Sequence, residues 1–175
     1  MDSTSFKKQS GFWANFFKTP TENGELEDLL KNIPPFRNLN KKYLQIIIKL
    51  IHNRAYTAGE YIFFEGDPGI GLYIIRNGEV LITQGGAERL PTELARLSRG
   101  DFFGELALLD NDVRSASAIA STESNISVLF KPDLDEFIEK YPVQGVHILR
   151  GMAQITATRL RKINLEYVGL NDYKK

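Results

Sequence analysis

The sequence predicts a mainly β domain, a small sandwich or barrel, with helices at both ends. Three observations predict it. From Tyr56 to Phe130 the chain is a series of short apolar runs broken by glycines and polar turns: YIFFEGD, GLYIIR, EVLITQ, ELARLS, SASAIAS and NISVLF. On either side of that stretch the apolar residues recur three and four apart instead, the period of helices. The whole chain, 175 residues with 42% hydrophobic and 25% charged side chains, has the make-up of a globular protein that buries a core without cross-links.

The elements follow in order. Residues 1–24 read as an extension, polar at first and then aromatic. Phe12, Trp13, Phe16 and Phe17 fall at helical spacing, and Pro20 and Gly24 are expected to end the segment. Those rings would dock onto the main domain or a second subunit; contact of residues 12–17 with a membrane surface is the alternative, supported only by Lys7, Lys8 and Lys18. The expected domain covers 25–142, and 143–175 form a C-terminal helix and tail. Glu25 to Lys31 reads as a short helix stopped by Pro34 and Pro35. Asn40 caps a second helix whose Tyr43, Ile46, Ile47 and Leu50 form an apolar stripe. Within the β stretch, Asn77-Gly78 between GLYIIR and EVLITQ predicts a hairpin, because that pair tolerates positive φ at both turn positions. Gly59, Gly66, Gly71 and Gly85-Gly86 mark further turns.

After Phe130 the helical period returns. Pro132 suits a first helical position, with Leu134, Phe137 and Ile138 on one face of 132–140. A longer helix is expected from about Val143 to Tyr167. Val146, Leu149, Ala153, Thr156, Leu160, Ile163 and Tyr167 make one seam, interrupted by Thr156 and weakened by Gly151 in the interior; Ile148, Met152 and Ile155 make a second face. Two apolar faces need two supports. The β domain would cover one and the same helix of a second copy the other, giving a homodimer.

Charge and motif content exclude several classes. The 22 basic and 22 acidic residues cancel, so no overall field favours nucleic acid. There is no cysteine, hence no disulfide, thiolate metal site or cysteine nucleophile. YLQIIIKLI is too short and too often interrupted to span a bilayer, and the N-terminus lacks the apolar middle of a secretory signal. The simplest location is the cytoplasm. His52 and His147, the only histidines, read as helix positions rather than a metal pair, and GxSxG and GxxxxGK[ST] are absent. A receiver is expected, not an enzyme, with no metal or cofactor.

The informative stretch is GDFFGELALLDNDVRSASAIA, residues 100–120. It places one carboxylate, Glu105, directly after Gly104, and one cation, Arg114, ahead of the small residues Ser115 and Ala116. Burying either charge alone costs several kcal/mol. A salt bridge between the two, or two exposed charges flanking a loop, would answer that cost. So would a ligand. Gly104 permits a sharp turn, after which ELALL can start a helical turn whose free N–H groups at Glu105, Leu106 and Ala107 suit an anion. Arg114 offers a planar fork for two phosphate oxygens, small neighbours let the backbone approach, and Glu105 can accept from a sugar hydroxyl. One compact phosphate beside one free hydroxyl describes a 3′,5′-cyclic nucleotide.

FGELALLDNDVRSASAIA resembles the phosphate-binding cassette of cyclic nucleotide-binding domains, the modules of cAMP-dependent kinase regulatory subunits, bacterial catabolite activators and cyclic nucleotide-gated channels. The resemblance extends through AGEYIFFEGDPGIGLYIIRNGEV, LLKNIPPFRNLN and VLFKPDLDEFIEKYP, roughly residues 28 to 165. It implies a β-roll (a double-stranded β-helix or jelly roll) with N-terminal helices and a long C-terminal helix. It implies that Glu105 accepts the ribose 2′-OH and that Arg114 pairs with the cyclic phosphate. Gly104 and the amides near Leu106, Ala107 and Ala116 would complete the cradle, and the Ser115 hydroxyl would add a bond. Purine contacts in the family come from the C-terminal helix, where Asn164 and Arg161 are the polar candidates. Serine after the arginine resembles the bacterial cAMP-responsive activators, so the implied ligand is cAMP, with cGMP the alternative. Val113 stands where many members have proline, and Ile70-Gly71 replaces a more polar pair. No helix-turn-helix is expected in VGLNDYKK after the long helix, so the resemblance implies a stand-alone module signalling to an unidentified effector protein. An interaction or scaffold domain that kept the roll and lost the ligand is the competing reading.

Overall fold

The computed structural model describes residues 20–85, 91–109 and 112–172, with residues 20–23, 107 and 166–172 described by backbone alone. The aromatic segment at 12–17 and Gly86 lie outside the described residues.

Helix α1 (Pro20–Asn32) opens on a proline, whose missing N–H costs nothing in a first turn. Pro20 and Gly24 were expected to end the preceding segment; instead Pro20 starts this helix and Gly24 sits inside it, on open surface where a Cβ would meet nothing within 4 Å. The burial of Leu26 and Leu30 outweighs the local signal. Helix α2 (Lys41–Leu50) is capped as expected, the Asn40 side-chain oxygen accepting from the Tyr43 N–H at 3.3 Å. Its buried line, Leu44, Ile47 and Ile48, is rotated from the expected stripe, and Tyr43, Ile46 and Leu50 flank it half-buried. A helix packed by both α1 and the later helix α3 (Lys131–Lys140) needs a wider apolar arc than one stripe supplies.

The extended Ile51 ends α2, and the chain enters β1 (His52–Tyr56). His52, expected on a helix, is therefore a strand residue opposite Val128. The remaining strands are β2 (Tyr61–Phe63), β3 (Gly71–Asn77), β4 (Val80–Gln84), β5 (Thr92–Leu97), β6 (Phe102–Phe103), β7 (Ser117–Ala120) and β8 (Ser124–Phe130). They form two four-stranded sheets, ordered β1-β8-β3-β6 and β2-β7-β4-β5, with every recorded strand pairing antiparallel. This is the jelly-roll core the sequence predicts, flanked by helices.

The expected hairpin at Asn77-Gly78 is not one. β3 pairs with β6 and β8, whereas β4 pairs with β5 and β7, so the turn is a corner where the chain changes sheets. Gly78 alone has positive φ, +90°, whereas the hairpin turn favoured by Asn-Gly needs it at both residues. A Cβ there would lie 2.5 Å from the Glu123 carbonyl oxygen, so only glycine fits the corner. Gly59, Gly66 and Gly85 do turn with positive φ, but Gly71 instead begins β3, packed where a Cβ would come within 2.7 Å of the Leu129 carbonyl.

β3 separates two apolar clusters, which explains its unbroken run of hydrophobic residues. Leu72 and Ile74 face the helices, with Leu129, Leu134, Phe137 and Met152; Tyr73 and Ile75 face the space between the sheets, with Phe103, Ala118 and Val128. After β8, Pro132 lies in the first turn of α3, and Leu134 and Phe137 are buried as the spacing predicts. Helix α4 (Pro142–Asp172) then crosses the domain. Ile148, Met152 and Ile155 are buried against it, while Val146, Leu149, Leu160 and Ile163 lie on the open surface. Gly151, a cost in a lone helix, has a use here: a Cβ would stand 2.5 Å from Pro35 Cα and 2.6 Å from the Pro34 oxygen. The helix is drawn close onto the proline turn.

Candidate functional site

The stretch that carries the acid and the base folds over one end of the roll. After β6 the chain turns at Gly104, with φ +76°, and runs into a single 3₁₀ turn over Leu106–Leu108. A Cβ at Gly104 would lie 2.7 Å from Nη1 of Arg114 and 3.0 Å from the Gly71 oxygen. Glycine is required both by the backbone and by the guanidinium packed against it.

Arg114 is 5% exposed. Its Nη1 donates to the Gly104 carbonyl at 3.2 Å and its Nη2 to the Gly71 carbonyl at 3.1 Å. The guanidinium carbon sits 4.2 Å from the Phe63 ring centre and 5.3 Å from that of Tyr73, which is itself stacked on Phe103. Its Nε is buried without a hydrogen-bond partner. Burial pushes the guanidinium below its usual pKa, opposed by Tyr73, Asp67 and Glu105. The arginine's own backbone is fixed too: its N–H donates to Asp67 at 2.8 Å, its carbonyl accepts from Gly66 at 2.9 Å, and Val113 bridges Pro68. A cation taken from water, held by two neutral carbonyls and left with an unfilled donor, has the chemistry to pair with an anion.

Glu105 is 2% exposed. Its recorded partner is not Arg114 but Arg159 of α4, whose Nη1 forms an ion pair with Oε1. Arg159 also donates to the Phe102 carbonyl at 3.3 Å and lies over the Phe102 ring, with its side chain 47% exposed. The salt bridge between Glu105 and Arg114 that would have explained both charges is therefore not made.

Glu105, Arg114 and Arg159 line one cavity of about 480 Å³. Gly104, Leu106, Ser115 and Ala116 line it as well, and Phe63, Ile82, Ala95, Leu97 and Phe103 give it an apolar side. A volume of that order holds a small ligand. Ala107 belongs to the 3₁₀ turn beside the cavity, and the first N–H groups of such a turn have no acceptor within it. Asn164 and Arg161 are exposed on α4 and do not line the cavity; Arg161 Nη2 donates to the Thr158 hydroxyl at 3.4 Å. The helix presents Arg159 instead. Nothing local in TRLRKIN distinguishes that arginine from Arg161 two residues later; only the path of α4 over the roll does.

Of the cassette leucines, Leu106 and Leu109 are exposed and Leu108 is buried with Leu134 and Phe137. Lys131, at the start of α3, donates to the Leu108 carbonyl at 3.4 Å. Among the described residues no helix is long and apolar enough to cross a membrane.

The sequence profile of the cyclic nucleotide-binding domain family matches residues 53–141. The chain is 34% identical over 140 residues to the cyclic AMP receptor protein of Thermus thermophilus, covering 78% of this chain and 62% of that protein. It is 33% identical over 120 residues to the cAMP-dependent protein kinase regulatory subunit of Colletotrichum orbiculare, covering 69% of this chain and 29% of the relative. The crystal structure of the Thermus thermophilus catabolite activator protein superposes with a TM-score of 0.69 at 32% identity, over 79% of this chain and 63% of that one. This chain thus spans less than two thirds of the length of each of these relatives.

Proposed function

The chain belongs to the cyclic nucleotide-binding domain family, and from that premise we propose that it binds a 3′,5′-cyclic nucleotide, cAMP by preference, and relays the event through α4. One observation carries the reading: a buried arginine with an unfilled donor and a buried carboxylate line the same small cavity. Arg114 and the N–H groups about Leu106, Ala107 and Ala116 take the cyclic phosphate, with the Ser115 hydroxyl beside them. Glu105 takes the ribose 2′-OH. The apolar side formed by Ile82, Ala95 and Leu97 suits a flat purine. Serine at 115 favours adenine over guanine, while relatives named for cAMP and relatives named for cGMP both match the chain.

A ligand shifts such a domain only by binding two conformations unequally. Phosphate seated on Arg114 draws the Leu106–Leu108 turn inward. Leu108, packed on Leu134 and Phe137, carries that movement to α3. The sugar hydroxyl meets the carboxylate that Arg159 already holds, so ligand and α4 share one group. The open seam of Val146, Leu149, Leu160 and Ile163 then pairs with the same helix of a second copy, and the change reaches an effector protein in the cytoplasm. The domain acts as a receiver rather than a catalyst.

Thermal unfolding tests this. At a hundredfold excess over the dissociation constant the nucleotide adds roughly 2.7 kcal/mol, a rise of about 5–10 °C for a chain of this size. cAMP is expected to give the larger shift at equal concentration. No shift with millimolar cAMP or cGMP contradicts the reading. A monomer at all concentrations in sedimentation would remove the dimer from it and leave the nucleotide.

A further inference from the structure

A second hollow, about 470 Å³, lies where α4 crosses the turn between α1 and α2, and its lining is polar: Asn38, His147, Arg150 and Gln154 around the backbone of Gly151. Arg37 closes onto it, its Nη2 donating to Gln154 Oε1 at 3.0 Å. The two segments that build it share a property visible in the sequence. No aspartate or glutamate occurs from Leu29 to Gly59 or from Lys140 to Leu165, in a chain that has as many acidic as basic residues, 22 of each. Several other cations have carboxylate partners: Lys31 with Glu27, Arg76 and Arg99 with Glu25, Arg96 with Glu93, Lys131 with Asp135 and Arg159 with Glu105. Neither Arg37 nor Arg150 forms an ion pair with a described residue.

We propose that the groove between residues 34–38 and 147–154 is a docking site for an acidic peptide segment of a partner protein. Arg37 and Arg150 supply the cations, and Asn38 and His147 supply amide and ring N–H donors. Charge complementarity selects the occupant: like-signed donors without a carboxylate among the lining residues repel a basic partner and attract an acidic one. The dimensions select a peptide over nucleic acid. A duplex or strand needs cations along an extended track, and the next arginine along α4, Arg159, is committed to Glu105. The site differs from the cyclic-nucleotide cavity and does not depend on it, although α4 borders both.

Fluorescence anisotropy with a labelled twelve-residue polyglutamate peptide, on the full chain without nucleotide, tests the proposal. Binding is expected at low salt and should fall steeply as the ionic strength rises. Arg37→Glu and Arg150→Glu are each expected to weaken it by about tenfold, as exposed pairs are lost and made repulsive. Arg54→Glu, on β1, removes an equal charge away from the groove and should leave binding unchanged. Circular dichroism melts that match the parent establish that the variants fold. Absence of salt-sensitive binding overturns the proposal, as does equal loss in Arg54→Glu. So does a duplex DNA of mixed sequence that binds the groove more tightly than the peptide.

Discussion

The two charged halves of the proposed nucleotide cavity are built in different ways. The half around Arg114 belongs wholly to the roll: two backbone carbonyls, two aromatic faces and a bridge to Pro68 fix the cation from elements close around it. The half around Glu105 is completed from outside, by an arginine on a helix 54 residues further along the chain. Rigid placement suits recognition of a phosphate, which gains from a cation that need not move to meet it. A contact made by a separate, half-exposed side chain suits transmission, because it can change while the roll stays as it is. On the proposed reading, the same molecule separates holding a ligand from reporting it.

The sharpest way to break that contrast is at the rigid half. Arg114→Ala removes the phosphate partner and is expected to weaken cAMP binding by about a hundredfold or more, the scale of losing one member of a buried charge pair; calorimetry reads it directly. The seat of α4 comes next. Gly151→Ala places a Cβ 2.5 Å from Pro35 Cα, against backbone that cannot swing aside. The expected cost is about 1–3 kcal/mol, or a fall of roughly 2–10 °C in melting temperature. Arg159→Gln attacks the reporting half alone. The roll should still hold phosphate, with affinity lowered by about three- to tenfold, the range of a partly exposed ion pair. Any nucleotide-dependent change in protease sensitivity of α4 should disappear. An Arg159→Gln protein that lost binding as completely as Arg114→Ala would erase the distinction between the halves.

The smallest expected effect is on pH dependence. Glu25 joins α1 to the roll through Arg76 at 2.9 Å and through Arg99. Those two partners hold its carboxyl below the ordinary value of 4.5. A depressed folded-state pKa contributes stability that is complete above the unfolded value and is lost as the pH falls through the folded one. The parent should therefore be slightly more stable than Glu25→Gln at neutral pH, and the difference should shrink as the pH is taken down from about 4.5. Chemical denaturation at a series of pH values measures it.

Sequence and structure agree where one local feature decides the outcome. The Asn40 cap, the proline in the first turn of α3, the strand runs and the Gly104-Glu105 pair all carry their cause within a few residues. Disagreement begins where a distant element decides. HNRAY has no alternation and follows an apolar helix, so β1 becomes visible only through its partner β8. Asn77-Gly78 signals a tight turn but not whether the next strand joins the same sheet. The α2 stripe is rotated because two helices, not one surface, cover it. Arg159 is the plainest case: its role depends on where α4 passes, which Gly151 and the proline turn set. The acid and the base were legible as two charges set in a segment suited to burial; the third charge was not.

Titration calorimetry of the intact chain with cAMP tests the central claim most directly, run side by side with Arg114→Ala and Glu105→Gln. One nucleotide per chain is expected to bind the parent, far more weakly to Glu105→Gln, and not measurably to Arg114→Ala. A parent that takes up no cyclic nucleotide at millimolar concentration would contradict the claim, as would two variants that bind it as well as the parent does.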